Sequence, residues 1–153
     1  MGLEDYLCVI IDGEGCFTIR LCKRKTKSYG IRPRFSPQLC IVNTSDKLIN
    51  KVEEILTTYN IKYTKYLRKN KPPNKNIWVI LVYTSGLRTL IPLIWNKLSK
   101  QDELELIKKA IDLSEVANKE RLNNRHGEHG CSAIYSDETL RKFDELRYRL
   151  MEL

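Results

Sequence analysis

The chain has 153 residues, enough for one ordinary domain with a hydrophobic core, and we expect residues 1–153 to form a single domain. Lysine and arginine total 27 against 19 acidic residues, a formal charge of +8 that favours a polyanionic partner such as nucleic acid over a basic protein without a specific partner. No apolar run approaches the ~20 residues of a membrane span, and the odd set of five cysteines, mostly in periodic segments, indicates reduced thiols rather than a disulfide framework.

The first predicted element is a short helix over residues 3–11. Its apolar side chains recur close to helical spacing: Leu3, Leu7, Ile10 and Ile11. Gly13 and Gly15 are expected to end the helix. Asp12 precedes the first glycine, and Glu14 lies between the two. A packed helix that delivers carboxylates into a glycine-flanked turn suggests a metal-binding carboxylate that faces an anion across a cation.

Two strands follow, over residues 16–23 and 34–42, because apolar and polar side chains alternate in both. The basic segment 23–30 connects them. Pro33 and Pro37 predict an edge or a bend in the second strand.

A turn and cap at 43–46 come next, and an amphipathic helix follows them. Two further strands are predicted over 61–68 and 77–83, joined by the polar loop 69–76. The last predicted elements are a helix capped by Ser85, a helix over 101–116 and an amphipathic helix from Ser136. Two hairpins would form a four-stranded antiparallel sheet with helices on one face, an α+β fold. In the polar segment after residue 117, His126, His129 and Cys131 are three potential ligands, one fewer than a closed zinc site needs, so a loop or phosphate contacts are the better interpretation.

The sheet face opposite the helices is expected to be basic and free of carboxylates. Its predicted members are Thr18, Arg20, Cys22, Arg24, Arg34, Ser36, Gln38, Cys40, Tyr66 and Arg68. These side chains suit base edges and phosphates in a major groove, which admits a β-ribbon. The alternative is an ordinary solvated face that happens to be basic. We therefore predict that double-stranded DNA binds this face.

The segment Leu7–Gly15 resembles the motif of the LAGLIDADG homing endonucleases. The first leucine, the hydrophobic pair, both acids, the small residue between them and the closing glycine all match. Where the family has two small residues, Cys8 is small and Val9 is not. The resemblance covers roughly residues 3–113, and it implies an αββαββα core over about residues 3–117 with a saddle-shaped DNA-binding sheet. Extra C-terminal helices would make up residues 118–153.

The resemblance also implies a function. The motif occurs once, and single-motif chains of this family act as homodimers, so the expected activity is a staggered double-strand cut in a long, near-palindromic DNA site. The cofactor would be Mg²⁺, or another divalent cation such as Mn²⁺ or Ca²⁺ in its place. The gene would belong to an intron or an intein. The alternative is a non-cleaving nucleic-acid binder of the same fold, an intron-splicing maturase or a DNA-binding regulator; either protein would be intracellular, cytoplasmic or organellar.

The same resemblance assigns site residues. Glu14, the second acid of the motif, would bind the metal together with the adjoining Gly13, while Asp12 would cap the helix or support the turn. Asn43 would order water, although it could instead cap the following helix. A lysine, Lys100 or Lys97, would assist charge stabilisation; the spacing does not decide between them, and Lys100 is the preferred candidate. The predicted dimer interface consists of Leu7, Cys8, Ile11 and Asp12.

Overall fold

The computed structural model describes residues 2–26, 30–123 and 135–153. Its elements are α1 (Leu3–Glu14), β1 (Gly15–Thr26), β2 (Gly30–Asn43), α2 (Asp46–Thr58), β3 (Thr64–Arg68), β4 (Ile77–Val82), α3 (Thr84–Ile94), α4 (Gln101–Asn123) and α5 (Asp137–Met151). This is the predicted α+β architecture, with two hairpins, a helix between them and further helices behind. Within the described ranges, no helix is both long enough and apolar enough to cross a bilayer.

The four strands form one antiparallel sheet in the order β1-β2-β4-β3. β2 pairs with β1 along its whole length, but only its residues 39–43 also pair with β4. The first part of β2 therefore has a free edge. Pro33 and Pro37 lie in this part, where a residue without an N–H is tolerated, as the sequence predicted.

The core lies between one face of the sheet and the helices. Alternate residues of β1 and β2 point into it, among them Phe17, Ile19, Leu39 and Ile41, whose side chains are 0–4% exposed. Burial of each such side chain contributes about 1.5–3 kcal/mol. Helix α5 closes the β1–β2 end of this core because the ring of Phe143 stacks on that of Phe35, with 5.2 Å between the centroids.

Helix α1 is longer than predicted. It continues through Gly13 to Glu14, so Gly13 does not end it. A glycine in a helix costs about 1 kcal/mol relative to alanine. Tertiary packing outweighs this cost here, because Ile10 and Ile11 of the same turn are buried in the core.

Other boundaries also differ from the prediction. β1 and β2, predicted over 16–23 and 34–42, span Gly15–Thr26 and Gly30–Asn43, so residues 23–26 of the predicted connection belong to β1. Ser85 lies inside α3, whose N-cap is Tyr83, and β3 begins at Thr64 rather than at residue 61. Helix α4 runs to Asn123, about two turns beyond the predicted end, and its Ala117 is fully buried. His126, His129 and Cys131 lie outside the described residues.

Gly86 is expected to be essential for the packing of α3. A Cβ at this position would lie 2.2 Å from the carbonyl oxygen of Lys62 and 2.7 Å from Cγ1 of Val82. Gly86→Ala should therefore lower the free energy of unfolding by about 1–3 kcal/mol, as overpacking of a core does. Urea denaturation measures this change. Thr89→Ala, on the exposed side of the same helix, serves as control; equal midpoints for the two variants would contradict the close contact.

Candidate functional site

The acidic end of α1 passes directly into β1. Gly15 is the first residue of the strand, and its N–H donates to the carbonyl oxygen of Ile11 in the last turn of the helix. A Cβ on Gly15 would lie 2.7 Å from that same oxygen, so only glycine fits this close approach. The junction has no intervening loop, and it holds Glu14 at the end of the sheet.

The two acids of this turn differ in their partners. Both carboxylate oxygens of Asp12 accept a hydrogen bond from the backbone N–H of Ser99, each at 3.1 Å. Glu14 is exposed, and it forms no ion pair or hydrogen bond within the described part of the chain. Asp12 is thus committed to joining α1 to the α3–α4 connection, whereas the Glu14 carboxylate is free to bind a ligand.

The connection between α3 and α4 runs alongside α1, and it places the two candidate lysines at opposite ends of that helix. Lys97 Nζ lies 2.8 Å from Glu4 Oε2, near the N-terminal end of α1. Half-buried Lys100 donates from Nζ to the carbonyl oxygen of Gly15 at 2.5 Å, beside Glu14. Lys100 is therefore the lysine that lies at the acidic end of the helix.

A polar network that local sequence patterns did not reveal anchors this connection. Hydrogen bonds from Lys97 and then from Tyr59 lower the pKa of Glu4, and the Glu4 carboxylate in turn raises the pKa of Lys97. The groups are solvent-exposed, so the network contributes little to stability. It nevertheless joins α1, the end of α2 and the α3–α4 connection. Glu4 and Lys97 are 93 residues apart, a separation at which no helical or strand periodicity operates.

Asn43 is the last residue of β2, at the same end of the sheet as the α1–β1 junction. It lies two residues beyond Ile41, which pairs with Gly15. Its Oδ1 accepts from the N–H of Ser45 at 2.8 Å, and Ser45 Oγ accepts from the N–H of Leu48 at 3.3 Å to cap α2. Asn43 therefore supports the capping residue and is not itself the helix cap.

The outer sheet face, opposite the core, contains seven of the predicted DNA-binding residues of β1 and β2: Thr18, Arg20, Cys22, Arg34, Ser36, Gln38 and Cys40. The register pairs Cys16 with Cys40, Thr18 with Gln38, Arg20 with Ser36, and Cys22 with Arg34, and the backbone of Arg24 pairs with that of Arg32. No described residue at an outer-face position of the four strands is acidic. The pairing of β1 and β2 confirms the predicted alternation, and it leaves a face to which anions have access.

Strand β3 contributes to the same face. Tyr66 pairs with Val79, and Val79 pairs with Val42, two residues after Cys40, so the register carries the outer parity across β4. Exposed Arg68 shares the parity of Tyr66. Burial and then Cys16 raise the pKa of the Cys40 thiol, and the charge of Arg68 opposes this shift.

The structure buries three residues of the predicted dimer interface within their own chain. Leu7, Cys8 and Ile11 are 1%, 4% and 0% exposed and belong to its core, so they leave almost no side-chain surface for a second copy. Burial raises the pKa of the Cys8 thiol accordingly. The face of α1 that faces away from the core contains Val9, which is 61% exposed, and exposed Gly13.

The donor set of one chain fits Mg²⁺ only in part. The described residues contain no group of three or more His, Cys, Asp or Glu side chains that could hold a metal ion. Glu14 supplies one free carboxylate, and the backbone carbonyl of Gly13 is adjacent in the chain. Mg²⁺ is typically bound by one or two carboxylates, several waters and substrate phosphates, so this set suits it when phosphate oxygens complete the shell.

Residues 10–111, more than half of the chain, match a family model described as LAGLIDADG endonuclease. An archaeal intron-encoded homing endonuclease complexed with DNA is similar in structure, with a TM-score of 0.66 and 18% sequence identity over 97% of this chain and 82% of that chain. The I-LtrWI LAGLIDADG homing endonuclease bound to target DNA has a TM-score of 0.65 and 18% identity over 96% of this chain but 44% of that chain.

A third similar structure is the homing endonuclease I-CvuI in complex with the I-CreI target in the presence of 2 mM Mg, in which the DNA is not cleaved. Its TM-score is 0.53, with 16% identity over 94% of this chain and 93% of that chain. At such identities the similarity concerns the fold. No curated protein matches the chain.

Proposed function

Because the chain belongs to the LAGLIDADG endonuclease family, we propose that it is a homodimeric, metal-dependent endonuclease that makes a staggered cut in a long, near-palindromic DNA site. One observation carries this proposal. The free carboxylate of Glu14 stands at the end of a sheet face that has exposed arginines and no described acid. A carboxylate so placed would meet phosphate, and the two repel each other unless a cation lies between them.

The single motif and the exposed face of α1 support the proposed homodimer. One chain supplies one Glu14, and the helix face with Val9 and Gly13 has no partner within the described chain. An isologous contact through this face would bring the two Glu14 side chains close to the dyad. It would also make the two half-sites of the DNA related by the same two-fold symmetry.

In the mechanism, Glu14, with Gly13 beside it, would hold Mg²⁺ together with phosphate oxygens. When bound, the cation would supply charge stabilisation for hydrolysis, in which water attacks phosphorus and the 3′-oxygen leaves. Half-buried Lys100 places its ammonium next to Glu14 and adds positive charge near the phosphate. Asn43, at the same end of the sheet, presents an amide that orders water. Asp12 keeps the helix end in place through Ser99.

The proposal assigns a supporting role in catalysis to Lys100 and not to Lys97. Lys100→Met should slow DNA cleavage about a hundredfold because it removes a preorganised positive charge beside the reacting phosphate. Lys97→Met should change the cleavage rate less than about threefold, because Lys97 pairs with Glu4 at the other end of α1. Single-turnover cleavage with saturating protein measures both rates. Equal losses in the two variants would contradict the assignment.

Cleavage of a randomised double-stranded DNA library tests the proposed function. In Mg²⁺ we expect discrete double-strand cuts at one near-palindromic sequence, and in chelator none. Salt-sensitive retention of nucleic acid without cuts would instead support the non-cleaving maturase or regulator. We also propose that the gene lies in an intron or encodes part of an intein. The similar fold of the archaeal intron-encoded homing endonuclease supports this origin.

A further inference from the structure

The cross-strand pairs of the outer sheet face form an ordered series of rows. The first, Cys16 and Cys40, adjoins the α1–β1 junction, since Gly15 pairs with Ile41 there. The next three rows, each farther from the junction, are Thr18 with Gln38, Arg20 with Ser36, and Cys22 with Arg34. The distance from the α1–β1 junction, where Glu14 lies, therefore increases by two residues of each strand from one row to the next.

Two polar atoms in these rows have no hydrogen-bond partner among the described residues. Thr18 Oγ1 and Gln38 Oε1 are buried, yet no described residue hydrogen-bonds to either atom. A buried polar atom without a partner is unfavourable, and most such atoms in proteins find one. No hydrogen bond of the fold holds the Gln38 side chain back, so it can turn toward a ligand that covers the face.

The arginines of the face are likewise uncommitted. Exposed Arg20 and Arg34 form no ion pair with any residue in the described ranges, although both project from well-ordered pairs of strands. Arg88, away from this face, is by contrast paired with Glu115, its Nε lying 3.3 Å from the carboxylate. The guanidinium groups of Arg20 and Arg34 are consequently available to hydrogen-bond a base edge.

Residue type and row together specify which base each position suits. A glutamine amide matches N6 and N7 of adenine, and an arginine fork matches O6 and N7 of guanine. Two residues of a strand advance by about 6.7 Å, while successive base pairs are about 3.4 Å apart along the duplex axis. Successive rows therefore face positions about two base pairs apart if the strands follow the groove.

We propose that the outer sheet face reads each DNA half-site in a fixed order outward from the cleavage point. An A·T pair lies opposite Gln38 and Thr18, a G·C pair about two base pairs farther out lies opposite Arg20, and a second G·C pair about two base pairs beyond lies opposite Arg34. This inference rests on the proposed function, because it assumes that duplex DNA occupies the face.

Selection of bound duplexes from a randomised library in Ca²⁺ tests the order without requiring cleavage. The full-length protein should enrich A·T, G·C and G·C pairs at the three stated positions, each by about 5- to 150-fold over other pairs. Gln38→Ala, Arg20→Ala and Arg34→Ala should each abolish enrichment at its own position alone. Gln38→Glu, which keeps the shape of the side chain, should replace adenine by cytosine, whose N4 amino group donates to a carboxylate.

Arg141→Ala, on the exposed side of α5, is the matched control and should leave all three preferences unchanged. Variants that weaken binding equally at every position would show phosphate contacts and overturn the proposed readout, while DNA binding itself would stand. A protein that retains no duplex from the library would overturn the proposed function together with the readout. Melting temperatures close to that of the parent protein confirm that the variants are folded.

Discussion

Glu14→Gln is expected to slow DNA cleavage by at least about a thousandfold and to change the dissociation constant for DNA by less than about threefold. The substitution keeps the size and shape of the side chain but removes the charge that we propose binds the cation. The loss should exceed that from one hydrogen-bond donor in an active site, which is about 10²–10³-fold. DNA binding should persist because the arginines of the sheet face, and not Glu14, are proposed to meet the DNA backbone and bases.

Cleavage is measured in Mg²⁺ and binding in Ca²⁺, with the same duplex for both. Glu145→Gln, an exposed carboxylate on α5, controls for the change in net charge and should cleave at the parental rate. Retained cleavage by Glu14→Gln would place the metal-binding group elsewhere. A joint loss of binding and cleavage would show that Glu14 maintains the fold of the α1–β1 junction instead.

Gly13→Leu is expected to convert the proposed homodimer into folded monomers and to abolish double-strand cleavage. A Cβ added at Gly13 meets no heavy atom within 4 Å in its own chain, so the protomer has room for the larger side chain. In a dimer that packs through the same face of α1, the leucine would force the two helices apart, because the separation of packed helices depends on the side chains at their contact.

Sedimentation velocity at several protein concentrations reports the change in mass, and circular dichroism reports the retained fold. Asp112→Leu adds an exposed leucine to α4 and should remain dimeric, which separates the effect of position from that of hydrophobicity. If Gly13→Leu sediments as the parental dimer does, α1 is not the interface and the two Glu14 side chains do not meet at a dyad.

Much of the sheet could be predicted because its information is local. A pleated strand alternates its side chains, so the parity of Phe17 and Ile19 against Thr18 and Arg20 already separates core from outer face. The caps of α2 and α5 were likewise readable. Ser45 and Ser136 each accept a hydrogen bond from a backbone N–H three residues later, a contact within one helical turn.

The helix boundaries were less predictable because packing outweighs local preference. Gly13 was expected to stop α1, yet the helix runs through it to Glu14, and the polar later turns of α4 extend beyond their predicted end. Ser85 has the residue type of a cap but lies inside α3. At Gly13 the free energy of tertiary contacts exceeds the penalty of about 1 kcal/mol that glycine carries in a helix relative to alanine.

The sequence by itself determined the family motif, the basic sheet face and the presence of two acids at the end of α1. Only the tertiary structure decided that Asp12 is bound by Ser99 while Glu14 is free, and that Lys100 rather than Lys97 lies beside it. It also turned Leu7, Cys8 and Ile11 inward and left Val9 and Gly13 outside. The physical reason is that a residue's type and periodicity are properties of the chain, whereas its partners are set by segments more than 80 residues away.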